Sequence, residues 1–442
     1  MTGSLHPVLE DQLNAALLAV QPFSATRRDA TLPDIRNKVF AVIGMRRAGK
    51  TTFLRQLQAD LRKELPPERA IYLSFDDDRL AALGVEQLSA LLEAYYRRLP
   101  ELRGKETVHW FLDEIQLVPG WERFVRRVLD SERIQMTVSG SSARMLSREV
   151  HTSLRGRGWE TVIRPFSFRE YLRHRDLEPD TPPQRWTPAV RSRIEKHFNG
   201  YLKEGGFPEA QGLDEALRVE LLQGYVDTVL FRDVIERYGV SQVTALRWIV
   251  RHALRNPARA FSVHRMHQDL KSQGHSVAKD SVHELLGHLL DAFLLSAVPL
   301  DTESLRQLNA NPRKLYPADP GLIHAFDRSG RANLGHALET AVFNQLERRR
   351  AEVAYVRLQR EHEVDFIARY PTGEVELLQV CADPSEPAAR ERELRSLRAA
   401  RAAHPRAKAL LLVLHREHLF DAGDGIEVRA AYDWLLGDDE QD

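Results

Sequence analysis

The stretch from Gly44 to Thr52 constrains the fold of this chain more than any other. Gly44, Met45, Arg46, Arg47, Ala48, Gly49, Lys50, Thr51 and Thr52 meet the pattern G-x-x-x-x-G-K-[ST] in full. The residue pattern predicts an apolar strand over Lys38–Ile43 before this loop. After it, a helix is expected with Phe53, Leu54, Leu57 and Leu61 on one face. In that context glycines let the backbone close around phosphate oxygens with its N–H groups turned inward. The helix start adds a dipole that favours anions. Lys50 is then placed to reach the β- and γ-phosphates, and the Thr51 hydroxyl to ligate Mg2+.

A second pattern supports the first. Residues 108–112 form an apolar run that ends in the adjacent carboxylates Asp113 and Glu114. Such a run reads as a strand buried on both faces of a parallel sheet. Its carboxyl end is where open α/β sheets bind ligands. Asp113 is expected to hold Mg2+ through water, and Glu114 to polarise the attacking water. Taken alone, the acid pair would also suit a helix N-terminus.

Bulk properties narrow the class. A chain of 442 residues has room for roughly three domains. With 43% hydrophobic and 29% charged residues, it reads as a water-soluble globular protein. No run of eighteen apolar residues and no signal-like start is found, so a membrane-spanning or secreted chain is not expected. The one cysteine, Cys381, rules out an intrachain disulfide and agrees with a cytoplasmic location. Lys plus Arg and Asp plus Glu both number 63, so any nucleic-acid surface must be a local patch. Arginine clusters such as 126–127 and 348–350 are candidates, or simply solvated helix faces.

Along the chain, residues 1–37 read as a helix (9–20) and a linker. Residues 38–165 alternate strands at 38–43, 70–75, 108–112 and 134–139 with helices that include 86–98 and 121–129. This implies a parallel sheet covered on both faces. Strand 70–75 lies between the two motifs in sequence. It leaves room for an added strand between the loop strand and the Asp113 strand.

The Gly44–Thr52 loop, the Asp113–Glu114 pair and the strand end at Val138, Ser139, Ser141 and Ser142 together resemble a bacterial and archaeal AAA+ ATPase family. This is the AAA_14 type, whose members usually carry a DUF4143 C-terminal region and are related to archaeal ATPases of the STAND group. The resemblance implies that Ser139, or Ser141, faces the γ-phosphate as sensor 1; the same serines would also make a helix-capping turn. It implies an arginine finger at Arg155 or Arg157, ahead of the segment 165–168, that reaches a neighbouring subunit's γ-phosphate. The bland alternative is surface arginines in a glycine turn. It further implies a helical lid over 166–239, in which Gly205, Gly206, Phe207 and Pro208 match the GxP motif of STAND ATPases and Pro208 lies near the nucleotide base. Local chemistry alone makes that turn a helix stop.

Residues 240–325 read as a winged helix, with helices at 243–256, 265–273 and 276–291 and wing strands at 293–300 and 314–316. Ser276 is the expected cap of the third helix, and His275, Lys279 and His283 its exposed residues for a DNA groove. A winged helix used for packing between domains or subunits is the alternative. Residues 326–442 resemble the restriction-endonuclease-like PD-(D/E)xK fold. Glu339 and Asp365 match its first two acids, but Gln379 and Cys381 stand where an acid and the lysine belong. A neutral amide is a poor Mg2+ ligand, and a thiol does not supply the lysine's charge. The domain is therefore expected to be nuclease-shaped but inactive. A displaced lysine, or an acid such as Glu374 or Glu376, is the open route back to a working site.

The fold class expected is thus α/β: a P-loop AAA+ parallel sheet with a helical lid, a winged helix and a nuclease-like α/β domain. The expected activity is hydrolysis of ATP to ADP and phosphate with Mg2+. A motor followed by two DNA-type modules points, by analogy, to binding and remodelling of DNA, branched DNA among the candidates. A ring, a hexamer by AAA+ analogy, is the expected assembly. The alternatives are a nucleotide switch that binds a protein partner and an active metal-dependent nuclease.

Overall fold

The computed structural model describes residues 4–18, 23–142, 156–304, 306–307, 312–327, 333–359 and 362–437. The chain divides into two compact units. One comprises residues 1–164 with 291–293, the other residues 165–290 with 294–442. Among the described residues, no helix is long and apolar enough to cross a membrane.

The first unit is built on a five-stranded sheet in the order β2-β3-β4-β1-β5. Its strands are β1 (Val39–Ile43), β2 (Ala70–Ser74), β3 (Val108–Asp113), β4 (Ile134–Gly140) and β5 (Gly158–Val162), and every pairing is parallel. The two faces of the sheet sort alternate residues into two cores. Val39, Ala41, Ile43, Ile71, Leu73, Trp110 and Leu112 join one layer with Leu9, Leu13, Leu91, Tyr95, Trp121 and Phe124 from three helices. Val42, Tyr72 and Phe111 turn to the other layer, under Phe53 and Leu54 of the helix Lys50–Leu61. Burial on both faces is why these strands read as continuous apolar runs.

Two elements differ from the sequence expectation. The strand that separates the loop strand β1 from the Asp113 strand β3 is β4, which follows both motifs in sequence. Strand β2 lies outside β3 instead. The first helix spans Pro7–Leu17, with His6 capping its start, rather than beginning at Leu9.

The second unit opens with the helices Phe168–His174, Pro188–Glu204 and Glu215–Thr228, the last continuing as a π-helical turn over Val229–Glu236. Next come helices Val243–Arg255, Val263–Ser272 and Lys279–Asp291 beside an antiparallel sheet ordered β6-β8-β7. Its strands are β6 (Ala260–Phe261), β7 (Leu295–Val298) and β8 (Arg313–Pro317). The third of these helices starts at Lys279, three residues beyond the expected cap Ser276. Lys279 and His283 are exposed on it, and His275 is half-buried.

The unit ends in a mixed sheet ordered β13-β12-β11-β10-β9, from β9 (Glu352–Gln359), β10 (His362–Arg369), β11 (Val375–Cys381), β12 (Lys408–Val413) and β13 (Ile426–Ala430). Strands β9 to β11 pair antiparallel, and β11 to β13 parallel. Phe366, Leu378, Leu410 and Leu412 face the helix Leu334–Arg348, whereas Ile367, Leu377, Leu411 and Val413 face the helix Pro387–Ala403.

A glycine pair explains how the segment 165–168 and the turn at 205–208 are joined. The Phe166 N–H donates to the Gly206 carbonyl at 2.7 Å. The Gly206 N–H donates to Asp319 Oδ2 at 2.7 Å, and the Gly321 N–H to Asp319 Oδ1 at 2.8 Å. Burial pushes the Asp319 carboxyl up to about 6, against the pull of these two amide donors. A Cβ on Gly206 would lie 2.2 Å from the Phe166 carbonyl oxygen. Gly206→Ala is therefore expected to lower second-unit stability by about 1–3 kcal/mol or more, because backbone must shift. Gly224→Ala, in a helix with nothing within 4 Å of the added Cβ, is expected to be neutral or stabilising. Thermal denaturation of the two variants checks the contrast, and equal melting temperatures would contradict it.

Candidate nucleotide-binding site

The first unit places its chemistry at the carboxyl ends of three adjacent strands. Strand β1 runs directly into the loop, where Gly44 takes φ +147 and Gly49 takes φ +99. Gly44 passes so close to the backbone that follows β5 that an added Cβ would lie 2.1 Å from the Ile163 carbonyl oxygen. Met45 and Ala48 are buried, Arg46 is half-buried and Arg47 is exposed with φ +66. Lys50 begins the helix and is itself buried, as Thr51 and Thr52 continue it. Its ammonium donates to the loop's own carbonyls, Gly44 at 3.0 Å and Met45 at 3.1 Å, and stands 4.0 Å from Glu114 Oε1.

Asp113 ends β3 and collects three hydroxyls. Thr51 donates to its Oδ2 at 2.7 Å and Tyr72 to the same oxygen at 2.5 Å. Ser139, on β4, donates to Oδ1. The Ser139 oxygen in turn accepts the Glu114 N–H at 2.9 Å, so one serine positions both acids. Glu114 takes φ +53, an unusual conformation for a residue with a side chain. Its carboxylate accepts from the Gln116 amide. Hydroxyl and carboxylate oxygens are the hard donors that Mg2+ prefers, so Thr51 and Asp113 fit the expected ion by their chemistry.

Several residues of this network escaped the sequence reading. Tyr72 is buried, and burial together with the Asp113 carboxylate holds its hydroxyl well above its usual range, protonated and donating. The Arg55 guanidinium lies 3.4 Å from the centre of the Tyr72 ring. Arg28, from the segment read as a linker, donates to the Ala48 carbonyl at 2.9 Å and also to the Arg164 carbonyl, bracing the loop from outside. No pattern rule marks a tyrosine on a neighbouring strand or a single arginine before the first strand.

The other expected site residues lie elsewhere. Ser141 is fully buried just past β4. Arg155 lies outside the described residues. Arg157 pairs with Asp130, and its carbonyl accepts the Val39 N–H at 2.8 Å. It therefore sits at the amino end of the sheet, about 13 Å along the strand from its own loop. In its own chain it lies off the phosphate site. Pro208 belongs to the second unit, in the turn built on Gly206 and Asp319.

The nuclease-like positions form a separate buried cluster in the second unit. Glu339 and Asp365 do converge, but on Lys314 of β8, at 3.5 Å and 2.9 Å from its Nζ. Burial, and then the Asp365 charge, push the Glu339 carboxyl up, with Lys314 pulling the other way. Gln379 is tied up by its neighbours: its amide oxygen accepts the Asp365 N–H at 3.3 Å and its amide nitrogen donates to Glu393 at 2.7 Å. Burial pushes the Cys381 thiol up to about 11, which keeps it from ionising at neutral pH. Glu374 pairs with Lys408, and Glu376 accepts from Tyr370, so neither acid stands in for the missing one.

A parallel sheet with the loop strand beside β4, and Asp113 one strand further on, defines the first unit as a P-loop domain of the AAA+ class. Comparison with known proteins agrees: residues 36–172 match the AAA_14 family, described as an AAA domain. An uncharacterized protein of Methanocaldococcus jannaschii, MJ1544, is 33% identical over 376 residues, which cover 84% of this chain and 80% of that one. This chain belongs to the same family as that archaeal protein. An uncharacterized protein of Haemophilus influenzae is 28% identical over 398 residues, covering 89% of this chain and 93% of its own. Residues 195–333 match DUF8612, a domain of unknown function, where the resemblance had implied DUF4143. Among solved structures, a Walker-type ATPase of Pyrococcus abyssi aligns with TM-score 0.40 at 16% identity, over 72% of this chain and 95% of its own. The ORC1 protein of Aeropyrum pernix, in complex with DNA, aligns with TM-score 0.29 at 14% identity, over 74% and 94%.

The network separates two variants. Lys50→Ala removes the loop's counter-charge and is expected to weaken nucleotide binding at least tenfold. Glu114→Gln keeps the loop, Thr51 and Asp113, and is expected to hold ATP while losing about 100-fold or more in turnover. Nucleotide affinity and phosphate release, measured for both, check this; wild-type turnover in Glu114→Gln would remove that residue from the chemistry.

Proposed function

We propose that this protein binds and hydrolyses ATP to ADP and phosphate, with Mg2+, at the carboxyl ends of β1, β3 and β4. The observation that carries the reading is the convergence of Lys50, Thr51, Asp113, Ser139 and Glu114 from three separate elements on one point. Thr51 and Asp113 would hold Mg2+, which would supply charge that neutralises the phosphates. Lys50 binds the β- and γ-phosphates, Glu114 takes the proton of the attacking water and Ser139 keeps both acids in register.

The proposal extends to assembly. Arg157 lies off its own site, so a role on the γ-phosphate requires a neighbouring subunit, and a ring follows, a hexamer by AAA+ analogy. Arg155 is the other candidate for this role. It also extends to DNA. The three helices and small antiparallel sheet of 243–317 support a winged helix, and the αβββαβ order of 334–413 supports a nuclease-like binder. Residues 240–325 hold ten Lys and Arg against seven Asp and Glu, a local excess in a neutral chain. Binding is then through phosphates, salt-dependent and largely independent of sequence.

Two experiments test these extensions. Mixing Arg157→Ala with Lys50→Ala subunits is expected to restore part of the ATPase activity at mixed interfaces. Specific activity of the wild type should also rise with protein concentration; concentration-independent turnover by a monomer in sedimentation contradicts the ring. Filter binding of single-stranded, duplex, forked and four-way DNA, with and without ATP, is expected to show affinity that falls as salt rises, strongest for branched forms. No binding to any of the four at low salt would remove DNA from the account and favour a switch acting on a protein partner.

A further inference from the structure

Strand β8 sends Lys314 into the end of the β9–β11 sheet. Its Nζ lies 2.9 Å from Asp365 Oδ1, 3.1 Å from Glu363 Oε1 and 3.5 Å from Glu339 Oε1, and its side chain is only 4% exposed. The carboxylates come from two elements, β10 and the helix Leu334–Arg348. Each is held by a further group. Tyr316, two residues along the same strand, donates to Glu339 Oε1 at 2.7 Å. Arg357 donates twice to Glu363, at 2.6 Å and 3.1 Å. The Val380 N–H donates to the second Asp365 oxygen at 3.0 Å.

Carboxyl oxygens from three side chains therefore converge on one point, and an ammonium fills it. A hard divalent cation asks for the same oxygens, only closer, at about 2.0–2.6 Å. Among the described residues, no group of His, Cys, Asp and Glu is spaced to hold a metal ion as it stands. Carboxylates held back at nitrogen–oxygen distances have that spacing as a consequence. A buried cluster of like charges does not persist without a counter-charge, and here the chain supplies its own.

We propose that Lys314 is the resident cation of the Glu339–Glu363–Asp365 site, that it excludes divalent cations from it, and that the site takes such an ion once the ammonium is removed. The inactivity expected of this domain would then have a second cause besides Gln379 and Cys381. The inference concerns the second unit alone and does not depend on the ATPase reading.

The test uses the full-length, nucleotide-free protein and Mn2+ as the probe. Mn2+ binding is followed by the electron-paramagnetic signal of the free ion, and melting temperature is measured with and without Mn2+. Lys314→Met is expected to gain one Mn2+ site at least tenfold tighter than any in the wild type, and to melt higher when Mn2+ is present. Adding Asp365→Asn should abolish both effects. A folded Lys314→Met protein that gains no site overturns the proposal. So does a variant that stays unfolded in millimolar Mn2+, since the ion should replace the missing charge. Wild-type protein decides independently of how the variant folds. A wild-type Mn2+ site that disappears in Asp365→Asn means that Lys314 does not exclude the ion, and overturns the proposal as well.

Discussion

The Asp113 carboxylate is the interaction on which the first unit's site depends. Its two oxygens accept hydroxyls from Thr51, Tyr72 and Ser139, which lie on the loop helix, β2 and β4. One acid thereby fixes the start of the helix Lys50–Leu61 against three strands of the sheet. Strand order makes this possible. With β4 between β1 and β3, the serine at its carboxyl end falls between the phosphate loop and the acid pair, within reach of both. Charge-assisted hydrogen bonds of this kind are worth about 1.5–3 kcal/mol each, and their geometry persists only while the parallel register persists.

Much of this was legible in the sequence because the constraints are local. The loop needs glycines where the backbone crowds Ile163 or takes positive φ, and Gly44 and Gly49 stand at those positions. Buried parallel strands must be apolar throughout, so Val39–Ile43 and Val108–Leu112 announce themselves. What was not legible is long-range. Tyr72, Arg55 and Arg28 meet the site through pairings that no spacing rule encodes. The placement of β4 rather than β2 between the two motifs is likewise a choice among sheet orders that the residue pattern does not distinguish.

The second unit shows the same limit in its polar interior. The resemblance singled out Glu339 and Asp365, and these two side chains do converge. Lys314, which meets both, was not singled out, because it lies on a strand that reads only as part of a wing. Asp319 makes a similar long-range tie to Gly206. Both are charged side chains buried at 4% exposure or less, and in each case the partner is fixed by tertiary packing. Scanning for motifs finds such residues only when the partner lies nearby in sequence. A lone lysine flanked by Arg313 and Leu315 carries no mark of burial.

The central claim is that the strand-end network around Asp113 is an ATP-hydrolysing site. Single-turnover phosphate release from Mg2+·ATP by the purified protein, over a wide range of subunit concentrations, tests it most directly. The account predicts measurable turnover by the wild type, and its loss in Asp113→Asn while circular dichroism shows the fold retained. No turnover by the wild type at any concentration, or wild-type turnover by the folded Asp113→Asn variant, would contradict it.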